Sequence, residues 1–320
     1  MHLRRRTLGL AAGAWGLGLQ TARAADYPSQ DIHFIIPYGA GGGFDLEVRF
    51  IAPLMQAQLS NKVQIVPDNV PTGGGVLGVS QLYRARPDGA TIGIMNIPGL
   101  FVLQRGGAAA FDLSKFAYIG SIARDHYGIG VAQTSPLKTM DDLRALSAQR
   151  PIKLTTTGRE GTSYSAAVIA MSLLGLRSSF ITGYKGSNDY VVAAIRGDGD
   201  AVVTTLPLLR QMQQGGLLRI LATFEDKTAI PGAEDATSLG KPALSSVVLE
   251  RIVAGPPKLP PAIQATLATA LAKALATPEA KAWADRIGTE LVARTPEQTL
   301  ALVQDQSKFY ETWKGLLDAA

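Results

Sequence analysis

The stretch Ile32-His33-Phe34-Ile35-Ile36-Pro37-Tyr38-Gly39-Ala40-Gly41-Gly42-Gly43-Phe44-Asp45-Leu46 decides the fold. Its first five residues have the β-branched and aromatic content of a buried strand. Leu46, Phe50, Leu54 and Met55 then recur at helical spacing. A strand, a glycine loop and a helix start follow one another within a few residues. Such a turn leaves backbone N–H groups unpaired at the helix start, where the helix dipole adds partial positive charge. Glycines there remove the Cβ atoms that would block an anion. A tight turn that binds nothing has the same local sequence, and the loop alone does not separate the two readings.

The rest of the chain repeats the alternation. A second strand is expected over 63–66, and Pro71-Thr72-Gly73-Gly74-Gly75 opens a helix over 76–84. A third strand over 91–95 ends at Asn96. Strands alternating with helices argue for a parallel sheet covered on both faces. Residues 118–123 are expected to cross into a second domain, whose first full strand is 128–132. There the opening device recurs, with a strand over 152–156, a loop over 157–163 and a helix over 164–174. Further strands are expected at 181–184, 201–204 and 218–222, and a crossover back at 246–253. The C-terminus reads as helical, with Phe309 and Trp313 at i, i+4 and expected to pack on the first domain.

The expected architecture is α/β and two-lobed, each lobe a mostly parallel sheet flanked by helices, joined by two crossovers. Residues 25–123 with 248–320 form the first domain, and residues 124–247 the second. Ligands in parallel sheets sit at the carboxyl ends of strands. Both glycine loops lie there, which makes the cleft between the lobes the expected site.

At 320 residues the chain exceeds the usual single-core size, in keeping with two domains. It has no cysteine, which removes disulfides, thiol nucleophiles and thiolate metal sites together. Arg4-Arg5-Arg6, an apolar run over 8–19 and Ala22-Arg23-Ala24 are the three parts of an export signal over 1–24. The apolar run is short for a membrane span. Paired arginines before Thr7-Leu8 match a twin-arginine signal only loosely. The mature chain is therefore expected to be soluble and periplasmic. The signal holds four arginines and no acid, so its removal takes the net charge from +5 to +1. No basic stripe remains for a nucleic-acid partner.

Reaction chemistry is hard to assemble. A hydrolase needs a nucleophile, a base and an oxyanion hole. Only three histidines occur, and His2 leaves with the signal. His33 falls inside a strand, and His126 is expected in a solvated loop after Arg124-Asp125. No G-x-S-x-G surrounds a serine. Gly39-Ala40-Gly41 begins like a dinucleotide fingerprint, but Phe44 replaces the third glycine. Gly197-Asp198-Gly199-Asp200 lacks the other ligands of a calcium loop and reads as a helix-to-strand turn. No enzyme, cofactor or metal is expected.

The ordered set Tyr27-Pro28, Ile36-Pro37-Tyr38-Gly39-Ala40-Gly41-Gly42-Gly43-Phe44-Asp45, Asn69-Val70-Pro71-Thr72-Gly73-Gly74, Pro87-Asp88-Gly89, Gly161-Thr162-Ser163 and Tyr184-Lys185-Gly186 resembles a known family. It is similar to the extracytoplasmic solute receptors of tripartite tricarboxylate transporters, the Bug family, over nearly the whole mature chain. The resemblance implies a periplasmic-binding-protein fold of the Venus-flytrap type. It implies capture of a small organic carboxylate and delivery to a membrane permease of two subunits, by a monomer that binds no nucleic acid. In the family, the loop after the first strand and its counterpart in the second lobe grip a carboxylate, partly through backbone N–H groups. Those loops map onto Tyr38, Gly39, Ala40, Gly41, Gly42, Gly43, Phe44 and Asp45, and onto Gly158, Arg159, Gly161, Thr162 and Ser163. Asn96, Thr204 and Thr205 at strand ends, and Tyr184, complete the implied ligand-binding set.

Three departures from the family bear on specificity, one of them Thr204-Thr205 in place of the family's acidic or amide residue after the 202–203 strand. Phe44 stands where the family has a small or polar residue, and could stack on an aromatic ligand or pack under the loop. Arg159 could pair with a second carboxylate, or form a solvated pair with Glu160. A periplasmic sensing subunit for a signalling partner, or an exported hydrolase on the same scaffold, are the alternatives.

Overall fold

Strand β1 (Ile32–Ile36) is the centre of a parallel trio, with β2 (Ile65–Asn69) on one side and β3 (Thr91–Ile97) on the other. The computed structural model describes residues 27–319 except 106, 108 and 160, so the export signal and Glu160 lie outside the described residues. Successive β1 side chains enter opposite faces of the sheet. Ile32, Phe34 and Ile36 pack with α1 (Gly43–Gln56) and α8 (Pro261–Leu275) through Ile51, Met55 and Leu267. Ile35 packs on the other face with Val79 and Leu82 of α2 (Val76–Arg84) and Leu100 of α3 (Gly99–Arg105). Both faces are covered, which is why these strands read as apolar runs.

Beyond β3 the direction changes. β3 pairs antiparallel with β9 (Val248–Gly255), β9 with the first part of β4 (Ala117–Ala132), and β4 with β10 (Glu290–Arg294). The order is β10-β4-β9-β3-β1-β2. The last part of β4 then pairs antiparallel with β7 (Val202–Thr205) and β8 (Leu218–Thr223). β5 (Ile152–Thr155) and β6 (Ser178–Ile181) are parallel, and a Leu154–Ala201 bridge joins β5 to the start of β7. Parallel pairing is found where strands alternate with helices, and the strands that pass between lobes run antiparallel.

The crossover and the following strand expected at 118–132 are one continuous strand of 16 residues. Backbone pairing with β9 runs through His126, and pairing with β7 starts at Tyr127, so Arg124-Asp125-His126 stays extended. His126 is therefore a half-buried strand residue opposite Val248 and not part of a solvated loop. On the second lobe, α4 (Met140–Gln149) and α5 (Thr162–Leu174) cover one face with Tyr127, Ile129 and Ile152. α6 (Ser187–Arg196) and α7 (Leu206–Gln214) cover the other with Val202, Leu218 and Ile220. The 197–200 segment is the expected turn: Gly197 ends α6 in the left-handed region, and Asp200 accepts from Arg150 and from the Lys153 N–H.

The C-terminus departs from expectation. After α9 (Pro278–Ile287), the last helix is split at Trp313 into α10 (Pro296–Thr312) and α11 (Lys314–Ala319). Tyr310 is buried in the second lobe's core, and Phe309, Trp313 and Leu317 pack against the same cluster. These aromatics do not cover the first lobe, because α10 runs along β4 past the waist and delivers α11 onto α5.

Gly128 and Gly130 let α7 lie close on β4. A Cβ on Gly128 would come within 2.6 Å of the Ala222 carbonyl and 2.9 Å of Leu209. Gly128→Val should destabilise the protein by about 1–3 kcal/mol through overpacking, read from the urea midpoint of the mature chain.

Candidate ligand site

The first wall of the site is the turn from β1 into α1. Gly41 holds a φ of +77°, which favours glycine. Asp45 reaches back from the first turn of α1 to fix that loop. Its Oδ2 accepts the Gly41 N–H at 2.8 Å, while Oδ1 accepts from Arg49 Nε at 2.8 Å and Asn69 Nδ2 at 3.0 Å. Asn69 also donates to the Tyr38 carbonyl at 3.1 Å. Burial pushes the Asp45 carboxyl upward, but the Arg49, Gly41 and Asn69 hydrogen bonds outweigh it and hold the group below the ordinary 3.8. Asp45 therefore builds the loop, with both oxygens engaged inside the protein.

The helix that follows is left without a side-chain cap. Its N-cap is Gly42, and the Leu46 N–H is the one that closes on the Gly42 carbonyl, so the amides of 43–45 have no intrahelical partner. Gly39, Ala40, Gly41, Gly42 and Gly43 are exposed. A Cβ on Gly39 or Gly41 would meet nothing within 4 Å, and one on Gly42 only the Gly39 carbonyl at 3.4 Å. Tyr38 and Phe44 flank this opening with ring centroids 4.5 Å apart.

The second wall starts with α5, whose N-cap Gly161 is also uncapped. Ser163 Oγ lies 2.8 Å from Thr156 Oγ1 and 2.7 Å from Thr157 Oγ1. The buried Tyr190 hydroxyl lies 2.8 Å from Thr204 Oγ1 and also bonds Ser163 and Ser187. Ser163 and Thr204 thus belong to one hydroxyl network centred on Tyr190, with hydroxyls rather than a base as partners. Gly158 turns the loop by accepting the Gly161 N–H, and Thr205 is the N-cap of α7. Arg159 is exposed at the tip of the loop. Tyr184 is not brought to this group: its hydroxyl lies 3.0 Å from Asp198, and its ring packs with the Tyr190 and Leu209 cluster.

Asn96 joins the two walls. Its Nδ2 donates to Thr162 Oγ1 at 2.7 Å, and its side chain bonds the Tyr38 hydroxyl. Burial drives the Tyr38 hydroxyl well above its ordinary pKa, and the Asn96 bond opposes this only in part. A Cβ on Gly99 would overlap the Thr162 hydroxyl, so the walls touch here. Asn96 Oδ1 is buried without a partner.

One group of residues was not anticipated. Arg251 faces Asn96 across the β9–β3 pair. Its Nη1 donates to Glu47 Oε2 at 2.9 Å, and its Nη2 lies 2.5 Å from Asp125 Oδ2. Thr289 donates to Asp125 Oδ1 at 2.5 Å. The Phe44 ring lies 5.2 Å from the guanidinium carbon, which is the packing role for Phe44. Beside this group, Glu250 accepts from Arg124 at 2.6 Å and from Arg294 at 2.9 Å. The available signal was two adjacent charged pairs, Arg124-Asp125 and Glu250-Arg251, inside otherwise apolar strands.

Both helix starts, at Gly42 and Gly161, lack a side-chain cap. Among the described residues, no group of three histidines or acids is placed to hold a metal, and no helix is long and apolar enough to cross a membrane. Two lobes sharing a strand, with the cleft walled by glycine-started helices, define a solute-binding protein of the periplasmic-binding class. The chain belongs to the tripartite tricarboxylate transporter family receptors, whose sequence pattern matches residues 48–318, and to their Bug group. It is 27% identical to the protein BugT of Bordetella pertussis over 94% of this chain and 92% of that one. The periplasmic binding protein BugD superimposes with a TM-score of 0.78 at 22% identity, over 91% of this chain and 98% of its own. MatC from Rhodopseudomonas palustris with bound malate gives a TM-score of 0.78 at 18% identity, over 91% and 100%.

Asp45 yields a pH test. Its folded pKa lies below its unfolded value, so its contribution is complete above about pH 4 and is lost as pH falls through the folded value. Wild type should lose stability more steeply than Asp45→Asn between about pH 4 and pH 2, followed by thermal melts across that range.

Proposed function

We propose that the protein is an exported periplasmic receptor that captures a small organic carboxylate between its two glycine loops and delivers it to a tripartite membrane permease. The observation that carries this reading is Gly42. Its backbone is extended, with φ −79° and ψ 168°, so any residue could stand there. Serine, aspartate or asparagine at an N-cap would stabilise the helix by about 1 kcal/mol. A glycine at this position forgoes that gain and leaves the amides open to a ligand. The Ser163 and Tyr190 hydroxyls supply donors from the opposite lobe, and malate in a protein of the same fold supports a carboxylate as the occupant.

The first lobe comprises residues 25–123 and most of 248–320, and the second residues 124–247. Ligand contacts from both lobes favour the closed form, which is the condition for a ligand to shift the equilibrium. Arg159 at the loop tip is the residue offered to a second carboxylate. The receptor works as a monomer, without cofactor or nucleic acid.

Thermal melts of the mature protein against benzoate, malate, citrate, glutamate and nicotinate test the reading. A ligand at 100 times its dissociation constant adds about 2.7 kcal/mol of stability. Failure of all five acids to shift the melt would sink the carboxylate reading. Gly42→Asp should lose this shift while its unliganded melt stays equal or rises, because aspartate caps the helix. Arg159→Ala should weaken diacids far more than monoacids, and equal losses in titration calorimetry would remove it as the second-carboxylate partner.

A further inference from the structure

The Arg251 guanidinium lies against the first glycine loop from beneath. A Cβ on Gly43 would lie 3.5 Å from its Nη2, and Phe44 covers its face. Gly43 itself is exposed, whereas Arg251 is 92% buried, so the charge lies just behind exposed loop backbone. Its Nε is buried and has no partner among the described residues. Arg251 also faces Asn96, whose Oδ1 is likewise buried and unpartnered. Two unsatisfied polar atoms on paired strand positions at the cleft floor are costly unless something else meets them.

The charges around Arg251 are unequal. Glu47 and Asp125, both fully buried, share one guanidinium, while the neighbouring Glu250 has Arg124 and Arg294 to itself. Two carboxylates on one cation already outweigh its charge. A third negative group at the α1 N-terminus is unfavourable unless one of the two is neutralised.

We propose that Arg251 is the side-chain cation of the carboxylate site, that Glu47 is its resting counter-charge, and that a carboxylate arriving at the first glycine loop takes over this role as Glu47 accepts a proton. The inference rests on the carboxylate reading above. Glu47 suits the part better than Asp125. Its Oε1 has neither a hydrogen bond nor an ion pair, whereas Asp125 Oδ1 accepts from Thr289 and Oδ2 is ion-paired with Arg251. Burial, with Asp125 adding and Arg251 opposing, pushes the Glu47 carboxyl up to about 7 in the unliganded protein. Of the other groups nearby, Tyr127 lies close to Arg251. The remaining elements against α1 carry His33 on β1, Asp68 on β2 and Lys273 on α8, and the charges of α9 are all exposed. None of these is ion-paired or hydrogen-bonded to Glu47.

An anion beside Glu47 raises its pKa further, so the complex holds more proton than the free protein. Affinity is then level below about pH 7 and falls as pH rises through the free and then the bound value. Each unit of ligand-induced shift corresponds to a tenfold change. The test is titration calorimetry from pH 6.5 to about 9 with whichever of the five acids shifts the melt most, in buffers of different ionisation enthalpy, after subtracting the acid's own titration. Wild type should take up a fraction of a proton on binding and weaken roughly tenfold across the range. Glu47→Gln should bind more tightly than wild type at the upper end and show a flat profile. Gly43→Ala, which the helical backbone accepts, should weaken binding by setting a methyl between loop and guanidinium. If no acid binds wild type, the carboxylate reading itself falls. If an acid binds wild type with no proton uptake, or Glu47→Gln keeps the wild-type slope, the role of Glu47 and Arg251 is overturned while the receptor reading stands.

Discussion

Strand β4 belongs to two sheets, and no part of the lobes can move without respecting that. Its first part lies between β9 and β10, its last part between β7 and β8. Apolar side chains fill it on both sides of the middle: Ile119, Ile122 and Ala123 in one core, Tyr127, Ile129 and Val131 in another. Between them lie Arg124-Asp125-His126, and the same gap on β9 holds Glu250-Arg251. The waist is therefore polar because neither core reaches it, and buried because both strands are covered. Charges so placed must be paired, and they are, through Arg124 and Arg294 on Glu250 and through Arg251 on Asp125 and Glu47. Buried pairs of this kind add little net stability, because desolvation offsets most of the attraction. Their geometry ties β4 to β9 and β10 and to α1, since the partners come from all four elements.

The two glycine-started helices show the opposite economy. Gly42 and Gly161 both begin a helix without a side-chain cap. The reasons differ. Gly161 has no choice, since a Cβ there would overlap the Thr157 hydroxyl, whereas Gly42 has open space around it. One wall is thus fixed by its own packing and the other is kept clear. Asp45 and Asn69 hold the clear wall in shape from behind, so its openness does not depend on a ligand to order it.

Much of this was legible in the sequence, and the limits have physical causes. The β1–loop–α1 turn, its counterpart at α5 and the alternation of strands and helices are local patterns, and the structure has them, although β6 runs over 178–181 rather than the expected 181–184 and β2 over 65–69 rather than 63–66. Arg251 was not legible as part of the site, because its partners at Glu47 and Asp125 are brought to it only by the β4–β9 pairing. The loop position of Asp45 suggests a ligand contact; that it points back to the Gly41 amide depends on Arg49 and Asn69. The polar triplet at Arg124 has the composition of a loop for the same reason the waist is polar. Phe309 and Trp313 showed a helical stripe, but a stripe says that a face is buried and not which lobe buries it.

The helix α11 that carries this stripe rests on α5, in a lobe whose strands are otherwise complete by β8. The second lobe's core cluster includes Tyr310, and Trp313 and Leu317 pack against it. A chain made from its N-terminus thus presents every strand of that lobe long before the residues that seal its core. Contacts so distant in sequence form late, after the entropy of closing the long intervening loop has been met. The second lobe's core is thus covered by residues that follow all of its strands in the chain, and the segment that forms its sheet does not by itself complete that core.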